Sequence, residues 1–306
     1  MKTKHFIIPT AIILFAACVK EPIPEEIVDP TEEKTSPTEV VYTVSIEATK
    51  GEAETKALDL VNNGKRLNTY WGNNEKAKVY KAGTPLGILD VIPNAGEKPT
   101  QATLSGSITT SGLAVNDELT LLIPRETWDY TGQNGLLTGS GSIEEKNAYA
   151  IATVSVTAID GNGGAVSTTN ATFHNQQSIY RFGFELSGNY IDPKSFTVSA
   201  AGGKLVQTMS WVGSEWTPAY GSISVTSPSA PADHFFYVSI RNDQTTEDTY
   251  NFVITGSDDA LYMATKTIPA TVLDVTGKFI SAKSITVTQP SFAPASGAIT
   301  DSNDVL

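Results

Sequence analysis

The sequence predicts an all-β protein: two antiparallel β-sandwich domains in tandem, behind a lipoprotein signal and a disordered acidic tether. Three observations carry that expectation. From Val41 onward, short runs alternate apolar and polar residues with a period of two. Clusters of Asn, Gly, Asp and Pro separate these runs, and no stretch sustains a helical stripe. Charged residues make up 18% of the chain, below the usual quarter or so. Thr, Ser, Gly and Ala fill the difference, a mixture suited to strands and turns.

The leader comes first. Lys2 and Lys4 form a basic start, and Phe6 to Ala17 (FIIPTAIILFAA) is apolar. That run is too short to span a bilayer as a helix, and Pro9 interrupts it. It ends in Ala16-Ala17 and then Cys18, so 1–17 reads as a signal peptide and Cys18 as the lipidated residue. An ordinary signal peptide followed by a chance cysteine is the other reading. Cys18 is the chain's one cysteine, which excludes disulfides and cysteine-based zinc sites. Residues 18–39 hold the lipidated cysteine and a Pro- and Glu-rich tether, VKEPIPEEIVDPTEEKTSPT at 19–38, too poor in apolar groups to order itself.

The strands follow. In Val41–Lys50 the apolar residues Tyr42, Val44, Ile46 and Ala48 alternate with Thr43, Ser45 and Glu47, the signature of a half-buried strand. Further strands are expected at 77–80, 102–108, 118–123, 149–158, 171–173 and 179–186. Others follow at 196–200, 222–226, 234–240, 251–255, 261–268 and 279–288. Asp160-Gly161-Asn162-Gly163-Gly164 sits between two such runs and reads as a hairpin turn. About 265 residues is long for one sandwich, since domains usually run ~100–200 residues. The expected division is 40–187 and 188–288, cut at the break Ser187-Gly188-Asn189, with 289–306 as a tail.

Charge and histidine content narrow the function. There are 33 acidic and 21 basic side chains. Removing 1–17 takes away two lysines and leaves a formal charge of −14, which disfavours nucleic acid and anionic surfaces as partners. Beyond the leader only His174 and His234 remain, too few for a serine triad or a histidine metal site. No G-x-S-x-G elbow, P-loop or H-E-x-x-H motif occurs. Asp160–Gly164 lacks the later carboxylate of a calcium loop. The acid pairs Glu144-Glu145 and Asp258-Asp259 sit in turn-like contexts and read as solvated charge. The expectation is therefore a non-enzyme that uses no metal and no cofactor.

Several blocks carry a family likeness. They are Glu54-Thr55-Lys56-Ala57, then Tyr70-Trp71-Gly72-Asn73-Asn74-Glu75-Lys76-Ala77-Lys78-Val79-Tyr80. Asp129-Tyr130-Thr131-Gly132-Gln133-Asn134-Gly135-Leu136-Leu137 and Ala171-Thr172-Phe173-His174-Asn175-Gln176-Gln177-Ser178-Ile179 follow. With the lipoprotein start, they make the chain resemble the fimbrillin family of Bacteroidales, the subunits of type V pili. That resemblance implies two tandem sandwiches, a lipidated precursor at the outer membrane, and proteolysis after a basic residue near the first strand. It also implies assembly with other pilin subunits, by an exchange in which a neighbour's C-terminal strand refills the vacated groove.

On this chain the displaced strand would present Tyr42, Val44, Ile46 and Ala48. Processing would fall at Lys56, with Lys50 and Arg66 behind it, in a polar loop. The donor would lie near the C-terminus, where Phe279, Ile285 and Val287 share one face. The same segment also reads as the last strand of its own domain. The alternative function is a surface lipoprotein that binds glycans without polymerising. Trp128 and Trp216, expected in loops, would then stack on sugars, while Trp71 and Trp211 are expected to be core anchors.

Overall fold

The alternation along the first strand holds in three dimensions and sets the plan of the N-terminal half. The computed structural model describes residues 38–50, 58–61, 66–124, 126–161, 163–212, 215–229, 231–273, 276–281 and 284–290. The leader, Cys18, most of the tether and Lys56 lie outside them.

Eleven strands come from the N-terminal part: β1 (Val40–Lys50), β2 (Leu58–Val61), β3 (Arg66–Thr69), β4 (Lys76–Lys81), β5 (Thr84–Pro93), β6 (Gln101–Thr110), β7 (Glu118–Ile123), β8 (Thr127–Asp129), β9 (Ala150–Ile159), β10 (Ala165–Thr168) and β11 (Ala171–Asn175). The C-terminal part adds β12 (Ser178–Phe182), β13 (Phe184–Leu186), β14 (Asn189–Tyr190), β15 (Pro193–Ala200), β16 (Val206–Val212), β17 (Glu215–Tyr220), β18 (Ile223–Thr226), β19 (Phe236–Ile240), β20 (Asp248–Gly256), β21 (Leu261–Ile268), β22 (Phe279–Ser281) and β23 (Ile285–Thr286). Helix is confined to a π-helical turn at Ile143–Asn147 and to α1 (Ala270–Leu273) among the described residues. The all-β class is as the sequence predicts.

The N-terminal sheet closes on itself. Strands β1, β6, β5, β4, β7, β9 and β11 pair in that order, β11 pairs back onto β1, and β10 bridges β1 and β9. Inside lies a core of small and branched side chains, among them Val44, Ile46, Val79, Leu89, Leu104, Leu121 and Val154, with Trp71 and Phe173 at one end. The hairpin at Asp160–Gly164 forms as expected, with Val166 opposite Ile159. Gly164 is obligatory there: a Cβ would lie 1.5 Å from the Asp160 carbonyl oxygen. Strand β5 escapes the period-two reading. Its outward residues include Ile88 and Ile92, 53% and 54% exposed, which hide the alternation. A bulge between Val79 and Tyr80 shifts its register against β4.

The C-terminal half is assembled from small sheets in the orders β19-β12-β22, β14-β13-β23, β18-β15-β20-β21 and β17-β16-β8. Its core is rich in rings: Tyr180, Phe182, Phe184, Phe196, Phe236, Tyr250 and Phe252 meet there. Phe252 contacts Phe182 and Phe184 edge-on at centroid distances of 5.1 and 5.5 Å.

Residues on both sides of the expected division at 187 share one core. Tyr180, Phe182 and Phe184 belong to the second core, and so do Trp128, Tyr130 and Tyr149 from within the first half of the chain. Ser187 and Gly188, with φ of 51° and 83°, are the turn of the β13–β14 hairpin. Turn chemistry marks a reversal of the chain equally well inside a domain and between two. The described residues from Glu39 onward hold together as one unit.

Candidate functional site

Strand β1 is the candidate. On one side it runs antiparallel to β6, from Val40 opposite Thr110 to Thr49 opposite Gln101. On the other it runs parallel to β10 at Thr43 and Val44, and parallel to β11 from Ala48 to Lys50. Ser45, Ile46 and Glu47 have no partner in β10 or β11, so this second ladder is interrupted. Tyr42, Val44, Ile46 and Ala48 all point inward and are no more than 4% exposed. Burying each of the three larger side chains is worth about 1.5–3 kcal/mol. The strand is thus one backbone with two flanking partners and a single apolar row.

Its C-terminal end is fastened by a charge. Lys50 continues the inward row, and its side chain is 2% exposed. The ammonium donates to the Tyr70 carbonyl at 2.5 Å, lies 3.4 Å from Glu75 Oε1 and sits 4.2 Å above the Trp71 ring. Glu75 Oε1 also accepts from the Gly72 amide at 2.7 Å. Trp71 is fixed in turn by its indole N–H, which donates to the Thr100 carbonyl, and by an edge contact to Phe173. The Tyr70–Glu75 block therefore builds a cradle for one lysine. Lys50 is not the loop residue the sequence suggested. Its side chain is enclosed there, because the alternation runs two residues further than its polar surroundings imply. Arg66 lies on β3, its backbone opposite Val61.

The C-terminal candidates are seated in their own half. Phe279 is opposite Ile179 in a parallel pairing of β22 with β12, and Ile285 is opposite Phe184 in a parallel pairing of β23 with β13. Ile285 and Val287 are buried, while Phe279 is half-buried and stacks on Tyr237. Thr288 then exchanges two backbone hydrogen bonds with Met263 on β21. The three residues fall on two short strands and in two clusters, Phe279 beside Ile179 and Tyr237, Ile285 and Val287 in the main C-terminal core.

The tryptophans need a second correction. Trp128 is on β8, fully buried, and stacked between Tyr149 and Trp216, with a ring separation of 3.7 Å to the latter. Trp216 is half-buried on β17. Trp128 has no face left for a sugar, and Trp216 has one face taken. Trp211, expected to be a core anchor, is half-buried on β16, with its indole nitrogen enclosed. Strand β8 pairs with β16, and this long-range pairing, invisible in the local sequence, buries Trp128.

The remaining candidates have structural roles. His234 Nδ1 lies 2.8 Å from Asp192 Oδ1, and its ring stacks on Tyr190. His174 is exposed on the outward face of β11. Hydrogen bonds from the Ala260 amide and then the Tyr262 hydroxyl hold the Asp258 carboxyl below its usual range in the β20–β21 turn. No group of three metal-ligating side chains occurs among the described residues.

Gln133, within the block Asp129–Leu137, has a role that its motif alone does not reveal. Its backbone pairs with β18, donating to Ser224 and accepting from Thr226. Its side-chain amide pairs with β19 as a peptide group would: Nε2 donates to the Ser239 carbonyl at 2.7 Å, and Oε1 accepts from the Ser239 amide at 2.8 Å. Nε2 also donates to the Tyr130 carbonyl. One buried residue thus closes the edges of two sheets.

Comparison with known proteins adds little. No family model and no curated protein matches the chain. Among solved structures it is similar to a protein from Bacteroides ovatus described as a cell adhesion protein, at 13% identity and a TM-score of 0.40, over 82% of this chain and 97% of that one. It is similar to a fimbrial assembly protein from Parabacteroides distasonis at 10% identity and a TM-score of 0.37, over 80% and 91%. It is similar to the C-terminally truncated tip fimbrial protein Mfa3 from Porphyromonas gingivalis at 7% identity and a TM-score of 0.37, over 74% and 81%. Likenesses at these scores carry no argument about function.

Proposed function

We propose that the chain is a structural and adhesive subunit of a cell-surface fimbria. It is exported as a lipoprotein precursor anchored to the outer membrane through Cys18. Assembly follows by proteolysis-triggered donor-strand exchange with other subunits. The single observation that carries this reading is the seat of β1. A terminal strand with one inward apolar row closes a ring, and its departure would expose a matching slot and two unpaired edges. A donor strand would satisfy both at once, which is β-augmentation. The motif blocks that resemble fimbrillins support the same reading, and the Trp71 block is the one that grips the end of β1.

The burial of Lys50 shifts processing to the residues that follow β1. Cleavage at Lys56 or Arg66 would leave β1 as a separable strand held by its pairing, its apolar row and Lys50. The donor comes from the C-terminal segment that carries Phe279, Ile285 and Val287. The work is done by backbone pairing, with no catalytic group, metal or cofactor.

The test is direct. The purified precursor is nicked with a lysine- or arginine-specific protease and followed by SDS gel without boiling. Resistant ladders should appear only after the nick, with mature N-termini mapping at residue 57 or 67. Deleting 279–306 should leave secretion intact and abolish the ladders. A nicked protein that stays monomeric with 40–50 attached, even beside intact sister subunits, would overturn the reading.

A further inference from the structure

One groove in the molecule is unrelated to β1. It lies where the β4–β5 hairpin and the start of β7 meet the half-buried Trp211 of β16, with a volume of about 400 Å³, within the size range of small-molecule sites. One wall comes from each half of the chain.

The wall from the N-terminal half is polar and mostly unengaged. Lys81 and Asp117 are paired with each other at 2.6 Å, and Asp117 also accepts from the Ala114 amide. Beside them the side chains of Asn116, Glu118 and Thr120 line the groove and make no hydrogen bond to the described residues. Two turn residues of this wall, Ala82 and Asn116, hold positive φ of 45° and 74°. For alanine that region is disfavoured, and backbone strain of this kind gathers at ligand sites. The opposite wall is the indole of Trp211, held edge-on by Tyr80 at 6.1 Å and by Trp216 at 5.0 Å.

These features select a ligand class. A half-buried ring that lines the groove offers its apolar surface to aliphatic C–H groups. A carboxylate, an amide and a hydroxyl offer acceptors and donors for several hydroxyls. The groove's lysine is already engaged by Asp117, so no cation awaits a phosphate or a carboxylate, and the chain's net charge of −12 repels both. We propose that this groove binds a neutral saccharide, with Trp211 as the stacking face and Asn116, Glu118 and Thr120 as the hydrogen-bonding groups. The site makes no use of β1 or the C-terminal strands, so sugar binding and strand exchange succeed or fail separately.

A glycan array that displays neutral and sialylated or sulfated sugars tests this, followed by tryptophan-fluorescence titration of the soluble full-length body. Neutral glycans should be retained and should shift the emission saturably, and their anionic counterparts should bind at least tenfold more weakly. Trp211→Ala should lose at least tenfold in affinity, and Asn116→Ala and Thr120→Val several-fold each. Tyr190→Ala, at an exposed aromatic elsewhere, should bind as the parent does. If Trp211→Ala fails to fold, the two polar variants decide the question. An array with no neutral glycan retained, or polar variants that bind as the parent does, would overturn the proposal.

Discussion

The two halves of the molecule solve the same problem in different ways. In the N-terminal half, seven long strands close a ring, and small aliphatic side chains fill it. In the C-terminal half, four small sheets share one core, and aromatic rings fill much of it. A closed ring lets its backbone groups satisfy one another, apart from the break in the β1 ladder at Ser45–Glu47. Separate sheets leave edges, and here a borrowed strand, β8, and the amide of Gln133 cover them. Closure by topology tolerates ordinary residues; closure by stitching depends on particular ones.

Substitutions can break that contrast. The largest expected loss is Phe252→Ala, at about 4–5 kcal/mol, against about 3 kcal/mol for Ile46→Ala in the ring. The first removes a ring touching two others edge-on, the second a branched side chain among small neighbours. Denaturant unfolding of both variants measures the difference, and equal losses would erase the contrast. Gln133→Leu comes next, at about 3 kcal/mol, because it strands the Ser239 amide and carbonyl in the interior. A loss below about 1 kcal/mol would show that the stitch is dispensable. Lys50→Met should cost a similar ~3 kcal/mol by removing the cation from a buried pair. It should also raise the rate at which β1 leaves a nicked chain, measured by the release of 40–50 on a sizing column.

The smallest effect is a pH dependence in the ring's β7 turn. Burial pushes the Asp117 carboxyl up, but hydrogen bonds from Lys81 and Ala114 outweigh it and hold it below the usual range. A carboxyl depressed in the folded state contributes stability above its unfolded value of about 3.9, and loses it as pH falls through the lower folded value. The melting temperature of Asp117→Asn should therefore fall less than the parent's between about pH 4 and pH 2. Parallel curves would contradict this.

What was legible in the sequence follows the same division. Strands β7 and β21 fall at 118–123 and 261–268, where the alternation placed them, and β1 was readable because each second residue enters one core. Period two fails where a strand has apolar residues on both faces, as β5 does. It also fails where strands are too short to show a period, as β8, β14 and β23 are. Trp128 and Trp211 exchange their expected roles because burial is decided by the β8–β16 pairing, a contact some eighty residues away in sequence. Lys50 was misplaced because a lysine at the end of an apolar row looks like the start of a loop. Only the distant Glu75 and Trp71 make it an interior residue. Gln133 was visible as a motif, but nothing local reveals that an amide there acts as a peptide group.

The closed ring also fixes a gauge. Neighbouring strands stand about 4.8 Å apart, so removing β1 would leave its two flanking edges roughly 9.6 Å from each other. One extended backbone bridges that span with hydrogen bonds to both sides. A helix, about 10–12 Å across with its side chains and with its own amides engaged, cannot. A hairpin brings one strand too many. The gap is thus an aperture that accepts a solitary extended chain and turns away every thicker shape, before any side chain is read.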